Sequence, residues 1–203
     1  MRVLVACEFS GIVRDAFAAK GHDAWSADLL PSERPGNHLI CDHDLHLLDI
    51  TEQGWDLMIA HPPCTYLTNA GVRHLHSVPS QNGVLTKIHG KERWEEMRKA
   101  ATFFMALRNA PVPRIAVENP TPHKYAVELI GPYQQAIQPW LFDVPETKRT
   151  CLWLKNLPPL MATIIETTRY PKTHMTAPGP KRWMERSRTP VKIAEAMANQ
   201  WNY

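Results

Sequence analysis

The chain has 203 residues, with 23 Lys and Arg against 20 Asp and Glu, a formal net charge of +3. That length supports one domain with its own core, and 44% hydrophobic residues, with seven Trp, five Tyr and five Phe, exclude disorder as the main state. No stretch approaches the roughly 18 apolar residues of a membrane-spanning helix, MRVLVACEF lacks the marks of a signal peptide, and four scattered Cys without a CxxC pair suggest neither a disulfide framework nor a zinc site, as fits a reducing cytoplasm.

Residues 2–7 (RVLVAC) are a β-branched apolar run, a buried strand. A turn at Phe9-Ser10-Gly11 leads into a helix over 12–20, which Gly21 ends. Residues 22–27 and 38–41 read as the second and third strands, each followed by an aspartate, Asp28 and Asp42. Residues 55–60 form a fourth strand running into His61-Pro62-Pro63-Cys64. Residues 65–90 lack clean periodicity and predict a long mobile loop. A helix over 91–108 carries Trp94, Met97, Ala101, Phe104 and Leu107 at helical spacing. Residues 113–117 give a fifth strand ending at Glu118-Asn119-Pro120, and 133–138 and 150–154 give two more. Residues 155–189 are Pro-rich and basic with no clear element, and a last helix spans 191–201.

Strands alternating with helices predict a parallel α/β sheet, whose ligands sit at the carboxyl ends of the strands. Glu8–Gly11, Asp28, Asp42, His61–Cys64 and Glu118–Pro120 all fall at such ends, so they read as one site. Gly11 would let backbone approach a ligand, Phe9 would pack on an adenine or thioether, Asp28 would accept ribose hydroxyls, and Asp42 an adenine amino proton. The dinucleotide pattern GxGxxG is absent, because position 13 is Val. S-adenosylmethionine (SAM), a nucleoside cofactor without a pyrophosphate, has less need of that pattern. The two prolines stiffen the segment that carries Cys64. A thiol and a carboxylate at neighbouring strand ends suit attack on C6 of a pyrimidine, with a carboxyl group serving N3 and a methyl group entering at C5.

These residues resemble those of the cytosine-C5 DNA methyltransferase family, in its short versions encoded by phages and prophages. EFSGIV (8–13) looks like the SAM-binding motif, DLMIAHPPC (56–64) is similar to the Pro-Pro-Cys nucleophile motif, and AVENP (116–120) resembles the Glu-Asn motif. PETKRTCLWL (145–154) sits where the family carries basic residues at the target base, and RTPVKIAEAMANQW (188–201) looks like its last motif. The resemblance implies a Rossmann-like SAM-dependent methyltransferase fold: α/β, a mostly parallel central sheet, helices on both faces. It implies one catalytic domain over 1–203, with the segment 155–189 in place of a large target-recognition domain.

The resemblance also assigns roles. Cys64, Glu118, Asn119 and Arg149 would be catalytic, with Asn119 positioning Glu118. Phe9, Ser10, Gly11, Ile12, Asp28, Leu29, Asp42, His61 and Pro62 would bind the cofactor SAM, and Pro63, Lys148 and Arg149 the target base, with no metal. The partner would be DNA, with a protein partner able to supply sequence recognition, and no membrane. A duplex target would have to be flipped out of its stack. The loop 65–90, with Arg73, Lys87 and His89, would close over the base. The basic stretch 169–192 would contact phosphates. Two alternatives stay open: a free cytidine nucleotide such as dCMP as substrate, or a catalytically lapsed nucleic-acid-binding subunit.

Overall fold

Val3, Leu4 and Val5 are wholly buried in β1 (Arg2–Ala6), as is every residue of β4 (Leu57–Ala60) beside it. A central parallel strand is covered on both faces, so both strands are apolar throughout. The computed structural model describes residues 1–76, 89–177, 179–180 and 182–203. Five further strands complete the sheet: β2 (Asp23–Asp28), β3 (His38–Ile40), β5 (Arg114–Pro120), β6 (Gln135–Ile137) and β7 (Thr150–Lys155). Their order is β3-β2-β1-β4-β5-β7-β6, and β7 runs antiparallel to both of its neighbours. This is a Rossmann-like α/β fold, a mostly parallel sheet with helices on both faces.

Alternation along the strands builds two apolar layers. Leu4, Met58, Ile115 and Val117 face α2 (Asp44–Thr51), α3 (Gly90–Arg108) and α4 (Lys124–Ile130), through Leu47, Ile50, Phe104, Leu107 and Ile130. Val3, Val5, Leu57, Ile59 and Ala116 face α1 (Ile12–Ala18) and α7 (Val191–Gln200), through Val13, Phe17, Ile193, Met197 and Trp201. Among the described residues, no helix is long and apolar enough to cross a membrane.

The chain departs from the sequence expectation in short, locally capped pieces. The helix expected over 12–20 stops at Ala18, and Gly21 then turns the chain with φ of 80°. α2 was not expected; it starts on the His43 side chain, which accepts from the His46 N–H. Part of the loop expected over 65–90 is a 3-10 helix, Asn69–Leu75, anchored by buried Leu67 and Leu75. Residues 77–88, with Lys87, lie outside the described residues. The segment 155–189 holds two short helices, α5 (Lys172–Met175) and α6 (Arg182–Ser187).

One buried cation fastens the loop after β2. Arg14 is 1% exposed and pairs with Asp15 at 2.7 Å. It also donates to the hydroxyls of Ser26 and Ser32 and to the carbonyls of Arg34 and Pro35. Gly11, at φ of 69°, makes room for it, because a Cβ there would lie 2.5 Å from Nη2 of Arg14. The glycine expected to admit a ligand therefore admits this guanidinium. Replacing Arg14 with Met strands these acceptors, and urea unfolding should show a loss of about 3 kcal/mol; unchanged stability would contradict the assignment.

Candidate active site

The chain runs β1, β2, β3 outward, then returns to place β4 on the other side of β1. Such a switch point opens a crevice at the strands' carboxyl ends. A cavity of about 470 Å³ occupies it, within the usual range for ligand pockets of roughly 300–1,000 Å³. Its lining crosses the sheet. Asp28, Leu29 and Leu30 come from the end of β2, and Cys7, Glu8, Phe9 and Ser10 from the end of β1. His61 through Thr65 follow β4, Glu118 and Pro120 come from β5, and Lys148 precedes β7.

At the β1 end, Glu8 caps α1. Its carboxylate accepts from the N–H groups of Val13 (2.7 Å) and Arg14 (3.2 Å) and from the Ser10 hydroxyl (3.0 Å). A helix N-terminus is an anion site, and here an internal anion fills it. At the β2 end, Oδ1 of Asp28 accepts the Leu30 N–H at 2.9 Å. Burial raises the Asp28 carboxyl's pKa, only partly offset by the Leu30 and Leu29 N–H groups and by His38.

Cys64 and Glu118 meet at the other end of the cavity. Burial pushes the Cys64 thiol up, and the charge of Glu118 pushes it further; the cations Lys148 and Arg186 offset part of this. The resting thiol is therefore protonated at neutral pH. Burial also pushes the Glu118 carboxyl up, but a stronger combination opposes it: the hydrogen bond and charge of His61, the charge of Lys148, and a hydrogen bond from Thr150. The net direction is down, so Glu118 is a carboxylate. His61 Nδ1 lies 3.1 Å from Glu118 Oε2.

Asn119 is adjacent to Glu118 on β5 and so projects to the opposite face. It is wholly buried, and its Nδ2 donates to the Pro62 carbonyl at 3.3 Å. It holds the Pro62-Pro63-Cys64 segment, where the sequence reading had it position Glu118. Further bonds lace the same two strand ends: Asn69 N–H to the Thr121 carbonyl at 3.1 Å, and His123 N–H to the Leu67 carbonyl at 3.0 Å.

Of the residues singled out from sequence, the cavity gathers Phe9, Ser10, Asp28, Leu29, His61, Pro62, Pro63, Cys64, Glu118 and Lys148. Gly11 and Ile12 lie behind it at the start of α1, with Ile12 in the core. Asp42 stands apart, its side chain 87% exposed near His46. Arg149 is also apart, since it donates to the Tyr133 hydroxyl at 2.9 Å.

The sequence reading gave 169–192 only phosphate contacts and 188–201 a family motif, and did not foresee a cover built on α6. Trp183, Arg186, Ser187, Arg188 and Thr189, on and just after α6, line the cavity. Trp183 packs edge-on against Phe9 at 5.8 Å. Arg188 makes two bonds to Glu33, at 2.9 and 2.6 Å, and its carbonyl accepts from Lys148 Nζ at 3.0 Å. A lone Trp within a Pro-rich basic segment was the available signal.

No family model matches the chain, and no curated protein matches it. A solved structure to which it is similar comes from E. coli and is described as a candidate DNA modification methyltransferase encoded within a prophage. The identity is 12% and the TM-score 0.47, with 88% of this chain and 55% of that chain covered. This chain thus spans little more than half the length of that protein.

The charge state of Cys64 is directly measurable. A thiol raised by burial and by Glu118 should react slowly with iodoacetamide at pH 7, and faster as pH rises past the ordinary thiol range. Glu118→Gln removes the opposing charge, so the pH at half-maximal rate should fall. A midpoint that does not move would contradict the coupling.

Proposed function

We propose that the protein is a SAM-dependent methyltransferase acting at C5 of cytosine in DNA, through a covalent adduct of Cys64. The observation that carries this reading is the common cavity: a protonated thiol and an ionised carboxylate at one end, an aspartate and an aromatic pair at the other.

The cavity's chemistry suits the cofactor. The N-terminus of α1 is taken by Glu8, so a pyrophosphate would find no free N–H groups there and would meet a like charge. A nucleoside without phosphates meets no such obstacle. Asp28 retains an oxygen for the ribose, and Phe9 with Trp183 supplies an aromatic wall. When bound, SAM would supply an electrophilic methyl group on a sulfonium.

The remaining work falls to the chain's own groups. Cys64 Sγ gives up its proton and bonds C6 of the pyrimidine. One proton arrives at N3, balancing the one lost from sulfur. Glu118, as a carboxylate, accepts hydrogen bonds from N3–H and from the 4-amino group, stabilising the electron-rich ring. C5 would then take the methyl group that SAM supplies, its sulfonium leaving as a neutral thioether, and lose its own proton to solvent. The Sγ–C6 bond breaks, and N3 returns its proton to the thiolate. Arg186, which lines the cavity, would meet the phosphates of the target strand.

A second reading keeps this chemistry on a free cytidine nucleotide. It is favoured by the segment 155–189, whose described residues form only α5 and α6 and no separate recognition unit.

The test is tritiated methyl transfer to DNA, RNA and dCMP side by side, with 5-fluorocytosine DNA as the trap. Transfer to DNA is expected, falling steeply with salt, together with a stable adduct mapped to residue 64. Cys64→Ser should abolish both. Wild-type transfer by that variant would remove the nucleophile assignment, and rapid methylation of dCMP with a flat salt response would favour the free nucleotide.

A further inference from the structure

His61 was expected from sequence to touch the cofactor; it lines the cavity, and its ring also meets a second group. It follows β4 directly, and its N–H donates to the Ala6 carbonyl at 3.0 Å, so its backbone is still registered to β1. The ring is turned toward β5, where Nδ1 meets Glu118 Oε2. The side chain is 10% exposed, and Nε2 is buried with no hydrogen-bond partner among the described residues. A carboxylate accepts and cannot donate, so Nδ1 carries the hydrogen.

We propose that His61 is the positioning residue that keeps Glu118 a hydrogen-bond acceptor for the 4-amino group of the target cytosine. The proposal rests on the pyrimidine reading above. Burial pushes the Glu118 carboxyl up, and the His61 hydrogen bond is first among the interactions that bring it down, so losing that donor moves Glu118 toward the protonated form, which donates as well as accepts.

Other ionisable groups face the same carboxylate. Lys148, ahead of β7, favours its charge; Cys64, after β4, and Cys151, on β7, are thiols pushed up by it. Arg186 of α6 faces Cys64. If Lys148 alone kept Glu118 ionised, His61 would be dispensable.

Two variants separate the possibilities. His61→Asn keeps an N–H where Nδ1 stands; His61→Leu keeps bulk without a donor. The first readout needs neither cofactor nor substrate. Loss of the donor protonates Glu118, removes its push on the thiol, and should speed alkylation of Cys64 at pH 7.5 severalfold in His61→Leu but not in His61→Asn. The second readout is kcat/KM on an oligonucleotide bearing cytosine. His61→Leu should lose at least tenfold, and His61→Asn should restore it. A wild-type alkylation rate and kcat/KM in His61→Leu, or equal damage in both variants, would overturn the role of the Nδ1 donor. If alkylation responds as expected while the wild-type protein does not methylate cytosine, the His61–Glu118 coupling stands and the pyrimidine reading falls.

Discussion

The contact between His61 and Glu118 is the hinge of the site's chemistry, because it joins the ends of two neighbouring strands and sets the charge of the group between them. It exists because β4 and β5 are parallel and adjacent, in register from Leu57 opposite Arg114 to Ala60 opposite Val117. Residues just beyond that register, 61 on one strand and 118 on the other, must lie side by side. A parallel sheet brings every carboxyl end to one edge, so residues far apart in sequence converge without any local signal between them. The backbone bonds linking 67–69 to 121–123, and the Asn119 amide on the Pro62 carbonyl, then fix Cys64 beside the same carboxylate.

Charge divides the cavity. Glu8 satisfies the helix terminus, burial pushes the Asp28 carboxyl up, and Glu118 is held ionised by a histidine and a lysine. The thiol sits next to that negative charge and so rests protonated. This is the reverse of a cysteine poised as a free thiolate. The sulfur reacts only when the proton has somewhere to go. A ring nitrogen lying against Glu118 is such a place, which ties the nucleophile's readiness to the presence of its target.

Much of this architecture was legible from sequence, and for physical reasons. The central strands are apolar on both faces, and α3 carries its buried residues at helical spacing, so their positions could be read from pattern alone. Strand ends followed by Asp28, His61-Pro62-Pro63-Cys64 and Glu118 could be assigned to one edge as soon as the sheet was taken as parallel. What could not be read was direction and charge. Glu118 and Asn119 are adjacent letters but face opposite sides of β5. Lys148 and Arg149 are adjacent too, and only Lys148 lines the cavity, while Arg149 lies on Tyr133. Asp42 ends a strand that is short and at the sheet's edge, far enough out to leave it in solvent. The cover carrying Trp183 and Arg188 is held by an ion pair to Glu33, a contact between segments at opposite ends of the chain that no local periodicity encodes.

The central claim is that one cavity at the carboxyl edge holds a nucleoside at Asp28 with its sulfur facing the Cys64–Glu118 end. A crystal structure with S-adenosylhomocysteine tests it most directly. The account predicts ribose hydroxyls on Asp28, no contact with the α1 N–H groups already held by Glu8, and the ligand sulfur directed toward Cys64. A ligand bound outside this cavity, or a cavity still empty at saturating ligand, would contradict it.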